Sequence, residues 1–171
     1  MNYSITKTNS PIGEFVFICS EKYLLYATLG KFNSKSFFKF RDKHLTNELN
    51  DNYTIANEVK KQLDEYYNNR RTKFTIPIKL LGSDFEKSVQ YEIKKIPFGT
   101  TKSYSDLAKL IGKPKSYRAV GNATGKNPIG IIIPCHRVIK ADNSIGGFTG
   151  DLRIKRYLLD FEKKLAQRNI D

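Results

Sequence analysis

Cys135, His136 and Arg137 stand side by side in a chain of 171 residues that holds two cysteines and two histidines in all. The thiolate is the reactive form of cysteine, and proton-accepting or cationic neighbours raise its population. The triplet could therefore attack an electrophilic carbon. Consecutive side chains on an extended strand point to opposite faces. His136 then reaches the sulfur only if the chain turns sharply, or through a bridging water that carries the proton. The imidazole also needs a partner on its far nitrogen to fix its tautomer. Glu162, between Leu158 and Leu165, falls on the stripe of the last predicted helix that is expected to be buried. A buried carboxylate is costly without a partner. A water-linked Cys135–His136–Glu162 relay meets both needs. The alternative is a structural cysteine at the rim of a core, with Glu162 on a solvated helix flank.

The elements that must position these residues are read from the surrounding pattern. The apolar run "GIIIP", 130–134, predicts a buried strand that Pro134 ends. Upstream, "SDFE" and "SYSD" are capping boxes, with Ser83 and Ser103 at the caps and Glu86 and Asp106 three residues on. The first opens a helix carrying Phe85, Val89, Ile93 and Ile96, which "PFG" at 97–99 stops. The second opens a helix with Tyr104, Leu107, Ala108 and Ile111 on one face. "GKPK" turns the chain, and "SYRAVGNATG" forms another short helix ending at Gly125. Two short helices on a tight turn predict a helix-turn-helix.

The second of that pair is built from small residues, and Arg118 alone reaches far. Base reading in the major groove favours several long polar side chains. Ala and Gly instead allow close backbone approach, which suits the minor groove, with Arg118 free to fill a gap in the duplex. A small-residue face packed on a neighbouring helix is the competing explanation. Downstream, "NSIGGFTG", 143–150, predicts a pocket loop around Phe148 and Thr149, or a plain connection. Asn127 can bridge the short helix and the run leading to Cys135, or cap a turn. The last helix is expected from near Asp151 to about Gln167, with Leu158, Phe161 and Leu165 inward.

The first half reads differently. Residues 2–8, 13–19 and 22–29 are short strands, most simply an antiparallel meander. Residues 31–52 are polar and give no clear element. Residues 54–68 predict a helix with Ile55, Val59, Leu63 and Tyr66 at helical spacing. The segment 72–82 looks like an extended crossover. The fold class expected is an α/β N-terminal domain over 1–80, a sheet plus helix, and a mainly α C-terminal domain over 81–171.

Composition narrows the partner. Thirty Lys and Arg against 17 Asp and Glu give a formal charge of +13. The excess is spread along the chain, with 13 basic and 8 acidic groups in 1–82 and 17 and 9 in 83–171. Any anion site therefore lies on the folded surface, and nucleic acid is the obvious polyanion. No apolar run approaches the roughly 18 residues of a membrane span, and no export signal is evident. Two distant cysteines make no disulfide framework, so a reducing, cytoplasmic setting with Cys135 as a free thiol is expected.

"PCHRV" after an apolar run, with "SY", "RAVG" and "NP" upstream and "GGFTG", "LL" and "E" downstream, resembles the O6-alkylguanine-DNA alkyltransferases. The likeness covers 83 to about 165; the N-terminal part matches in size and in its strands-then-helix order, a ribonuclease-H-like domain by that resemblance. The resemblance implies direct-reversal repair. A monomer binds duplex DNA carrying O6-alkylguanine through the minor groove, flips the base and moves its alkyl group irreversibly to cysteine without a cofactor. O4-alkylthymine is a further substrate it implies. Carried over, Cys135 is the acceptor, His136 the base acting through water, and Glu162 completes the relay. Tyr104 donates a proton toward the flipped guanine and helps rotate its phosphate. Asn127 links the recognition helix to the active-site turn, and Arg118 occupies the vacated stack. Backbone groups at Cys135, Val138 and Thr149 recognise the base, with Phe148 and Lys155 at the pocket and Ser103, Tyr117, Ala119 and Gly121 on the DNA side.

Two features depart from that family's pattern. Phe148 stands where a hydroxylated aromatic is often found, and Thr149 where a smaller residue is common; both would narrow the pocket. Only Cys19 and His44 could ligate a metal in the N-terminal part, too few for a four-ligand site, so no metal is expected. Two other functions compete: a non-catalytic binder of alkylated DNA, and a cysteine–histidine hydrolase.

Overall fold

A computed structural model describes residues 2–29, 35–45, 47–48 and 54–168. The chain divides into two compact units, Met1–Leu81 and Gly82–Asp171.

In the first unit, strands β1 (Asn2–Ser10), β2 (Gly13–Cys19) and β3 (Leu24–Leu29) form the expected antiparallel meander. Gly13 makes the first hairpin possible: its φ of 125° lies in a region that side chains disfavour. β2 is buried along most of its length, Phe15 to Cys19 all closed to solvent, so it reads as a continuous apolar run rather than an alternation. Part of the segment without a clear sequence signal is a helix, α1 (Lys35–His44), followed by the two-residue β4 (Asn47–Glu48), which pairs parallel to β1. The rest of that polar segment lies outside the described residues. α1 buries Phe37 against Tyr3, Ile18, Leu25 and Tyr26. The amphipathic α2 (Thr54–Tyr67) buries Ile55, Val59, Leu63 and Tyr66, as its spacing predicted.

The second unit is helical. α3 (Asp84–Lys94) and α4 (Tyr104–Leu110) both start in complete capping boxes, at Ser83 and Ser103. After a turn over 111–116 comes α5 (Tyr117–Gly125), packed against both α3 and α4. Gln90 ties this trio together: its buried amide donates to the Ala123 carbonyl at 2.7 Å. The last helix, α6 (Leu152–Arg168), buries Leu158, Lys155 and Glu162. Phe161 and Leu165 are half-buried, less inward than their spacing suggested.

The expected strand over 130–134 is a turn. The carbonyl of Ile129 accepts from Ile133 N and that of Gly130 from Ile132 N, so the segment folds on itself. Ile131 takes a left-handed φ of 69°, an uncommon place for a β-branched residue. Its side chain is buried, and burial holds the strained backbone in place. A short apolar run fits a buried turn as well as a strand, and the helical unit offers no long strand to pair with. The ladder that does form is shorter. β5 (Lys102–Ser103) pairs parallel with β6 (Val138–Ile139), which joins the start of α4 to the segment just after Cys135. Among the described residues, no helix is long and apolar enough to cross a membrane.

Candidate active site

Cys135 opens a single 3-10 turn, Cys135–Arg137, between Pro134 and β6. The turn answers the difficulty of adjacent side chains. The backbone is curled, with Arg137 N donating to the Pro134 carbonyl, so His136 and Arg137 are both carried inward. Cys135 keeps partial exposure and is a free thiol. His136 is 1% exposed and Glu162 is closed off entirely. His136 Nε2 and Glu162 Oε1 are 2.9 Å apart, so the predicted pair exists and Glu162 is not on a solvated flank. With Nε2 paired to a carboxylate, the neutral ring carries its proton there and leaves Nδ1 as the acceptor.

In the sequence, Arg137 stands only as a cation beside the sulfur, without a partner of its own. It is 5% exposed and grips Glu162 at both oxygens, Nε to Oε2 at 2.7 Å and Nη2 to Oε1 at 2.8 Å. Its Nη1 donates to the Ile96 carbonyl just beyond α3 at 2.6 Å. The signal was there: a cation inside an apolar stretch must be paired, and a carboxylate predicted to be buried needs more than one donor. Gly99 also belongs to this cradle. Its N–H donates to Glu162 Oε2, and a Cβ there would come within 2.5 Å of Ala166 Cβ.

Around the sulfur, Asn127 braces the turn that delivers it. Its side-chain N–H donates to the Ile133 carbonyl at 2.8 Å, and its oxygen accepts from Ile129 N. Its own backbone N–H donates to Thr124 O in α5, so the residue joins helix to turn. Lys155 has no exposed surface, and its ammonium donates to the carbonyls of Val138 at 2.6 Å and Gly147 at 3.1 Å. Tyr104 is half-buried at the start of α4, its hydroxyl 3.4 Å from the Gly147 carbonyl. The pocket loop is fastened at Thr149, whose hydroxyl donates to Gly125 O at the end of α5. Phe148 is half-buried, 6.0 Å from the Lys155 ammonium.

Charge balance in the site follows from burial. Burial pushes the Cys135 thiol up, while hydrogen bonding from Asn127 and the charge of Lys155 pull it back. The neighbours therefore do not make a resting thiolate; they soften the cost of forming one. Burial lowers His136 and, of its partners, Glu162 works against that shift while Arg137 and Lys155 add to it. Burial would raise Glu162, but hydrogen bonds and charge from His136 and Arg137 hold it at about 2. Burial brings Lys155 down to about 8, with Cys135 opposing. Tyr104 is raised, by burial and then by the nearby sulfur, so its phenol keeps its proton.

Of the residues expected on the DNA side, Tyr117, Arg118, Ala119 and Gly121 share α5, and Ser103 caps α4. Tyr117, Arg118 and Ala119 are exposed in the first turn of α5, with the Arg118 guanidinium 5.9 Å from the Tyr117 ring. Gly121 lies against the Tyr104 ring. The Ser103 hydroxyl is spent on Asp106, accepting from its N–H and donating to its carboxylate. Among the described residues, no three His, Cys, Asp or Glu side chains gather as a metal-binding group.

Comparison with known proteins places this arrangement. A family model described as 6-O-methylguanine DNA methyltransferase, DNA binding domain, matches residues 84–164, and one described as the ribonuclease-like domain of the same methyltransferase matches 3–80. A methylated-DNA–protein-cysteine methyltransferase of Methanosarcina acetivorans is 38% identical over 95% of this chain and 98% of its own length. The constitutive methylated-DNA–protein-cysteine methyltransferase of Bacillus subtilis is 32% identical over 95% and 96%. A crystal structure of Mycobacterium tuberculosis OGT in complex with DNA superposes with a TM-score of 0.79 at 33% identity, covering 96% of this chain and 94% of that one. Both halves of the sequence are thus matched, and the resemblance drawn from "PCHRV" holds over nearly the whole length: the chain belongs to the 6-O-methylguanine DNA methyltransferase family.

Proposed function

We propose that this protein repairs alkylated DNA by direct reversal, taking the alkyl group from O6 of guanine in duplex DNA onto Cys135 in one irreversible transfer. The observation that carries the reading is a partly exposed cysteine in a 3-10 turn whose next residue, a buried histidine, is clamped by a buried carboxylate. As the thiol proton passes to His136 through a water, Cys135 Sγ attacks the alkyl carbon. The S–C bond forms as the C–O6 bond breaks, and guanine leaves with the electron pair. The Tyr104 hydroxyl protonates it and is itself reprotonated from solvent. Glu162 balances the imidazolium that forms. The product thioether has no acidic proton and no good leaving group, so each molecule acts once.

The approach to DNA follows the same reading. α4 and α5 act as a helix-turn-helix against the minor groove, with Tyr117 and Ala119 on the backbone and Gly121 permitting close approach. Flipping the base costs a few kcal/mol, and Arg118 filling the vacated stack offsets part of it. The flipped guanine meets backbone groups of Cys135, Val138 and Thr149. The Val138 carbonyl already accepts from Lys155 but has a second lone pair to offer. Phe148 and Thr149 narrow the pocket and favour methyl over bulky adducts. The protein works as a monomer in the cytoplasm.

Intact-protein mass spectrometry after mixing with duplex containing O6-methylguanine tests the reading. One added methyl on Cys135, with guanine restored, is the expected result. An unchanged mass with persistent binding would make the protein a binder of damage alone, and sustained turnover of an ester would make it a hydrolase. The Arg118→Ala variant should transfer more slowly from duplex yet normally from free O6-methylguanine.

A further inference from the structure

Arg137 and His136 compete for one carboxylate. Glu162 Oε1 receives both His136 Nε2 at 2.9 Å and Arg137 Nη2 at 2.8 Å, and Arg137 Nε takes Oε2 at 2.7 Å. A guanidinium held in this two-point fashion is the strongest partner a carboxylate finds among side chains. Without it, a buried Glu162 would face His136 as its sole counter-charge, and the pair would favour a resting imidazolium. An imidazolium cannot accept a proton from the thiol. With the guanidinium in place, the carboxylate is already neutralised. It still orients the ring through Nε2–H but no longer pulls a second proton onto Nδ1. The guanidinium is itself fixed, by the Ile96 carbonyl at 2.6 Å and by the Phe98 ring 5.7 Å from its central carbon. The other charged group that bears on the imidazole acts in the same direction: Lys155, on α6, is a cation, while Cys135, raised by burial, rests as an uncharged thiol.

We propose that Arg137 is a positioning residue of the transfer site, occupying both oxygens of Glu162 so that His136 rests as a neutral base with Nδ1 free for the thiol proton. The inference rests on the alkyl-transfer reading, yet its first test does not need activity. Two histidines, His44 and His136, make the ring nitrogens resolvable by 15N NMR, with His44→Gln supplying the assignment. In the native protein, His136 is expected as the neutral tautomer protonated at Nε2 from pH 6 to 8. An imidazolium at pH 7 would overturn the proposal, whether or not any variant folds.

The Arg137→Gln variant carries the second test. Its His136 should titrate at higher pH than in the native protein. Single-turnover transfer from O6-methylguanine duplex should then fall about tenfold at pH 7 for each unit by which that titration comes to lie above pH 7, and recover toward the native rate near pH 9. A loss equal at every pH, with an unmoved His136 titration, would reduce Arg137 to a structural strut and sink the proposal. If the native protein transfers no alkyl group at all, the functional reading fails while the NMR result still decides the fate of Arg137.

Discussion

The two cysteines of this chain are the same side chain in two different physical settings. Cys19 ends β2 in the sheet unit, with no exposed surface, and burial alone pushes its thiol up to about 12. Cys135 is raised by burial as well, but Asn127, Lys155 and the backbone N–H groups of the 3-10 turn oppose the shift. The sheet unit spends its interior on apolar packing, Phe15, Phe17, Ile18 and Leu25 among others. The helical unit instead buries a histidine, an arginine, a lysine and a glutamate, each with a partner. Burial by itself silences a thiol. Burial with fixed donors and a proton acceptor beside it leaves one that can be called on.

The sharpest way to break this contrast is to remove each sulfur in turn. Cys135→Ala should abolish transfer outright while binding to O6-methylguanine duplex persists. Cys19→Ala should transfer at the native rate and lose on the order of 1 kcal/mol of stability, from the emptied volume in the core. Iodoacetamide, followed by peptide mass mapping, should label Cys135 in the folded protein and Cys19 only after denaturation. Labelling of Cys19 at equal speed would erase the distinction.

The next largest effect is expected at Gly99, which has a φ of 71° and supports Glu162 from below. Gly99→Ala must tolerate a disfavoured backbone and a Cβ driven onto Ala166. A loss of more than about 2 kcal/mol in denaturant unfolding is expected, together with slower transfer, because the carboxylate that orients His136 is displaced. Near-native stability would mean that α6 shifts freely, and that the clamp is softer than its geometry.

Acid titration gives the smallest and most general effect. Glu162 is depressed from its ordinary 4.5 to about 2 in the folded protein. A carboxylate lowered on folding lends stability that is complete above the unfolded value and disappears as pH falls through the folded one. Stability should thus decline between pH about 4.5 and about 2. In Glu162→Gln, which starts less stable, that part of the decline should be missing. An identical acid slope in both proteins would place the acid-sensitive groups elsewhere.

Much of this was legible in the residue order. Three N-terminal strands, α2, both capping boxes and α6 follow from periodicity and from Ser at the caps, because those signals are local. The His136–Glu162 pair was also within reach, since an acid on an apolar helix stripe needs a partner. Three features were not. The run over 130–134 looked like a strand because three consecutive isoleucines fit either a strand or a buried turn. α1 hid in a polar segment because its apolar residues, Phe37 and Phe38 with Phe40, matter only once a sheet exists to receive them. Arg137 stood out as a cation beside the sulfur, but which carboxylate it holds emerged only once α6 brought Glu162 across.

What the sequence alone determined is therefore the list of chemical groups and the local elements that carry them: a cysteine followed by a base, two capped helices and a small-residue third. Those depend on neighbours a few positions away. What only the tertiary structure decided is the state of each group. The charge on His136, the grip of Arg137 and the pull on the Cys135 thiol all depend on which distant chains exclude water and which donors they bring within about 3 Å. Electrostatic energy inside a protein is set by distance and solvent, and neither is written in the order of the residues.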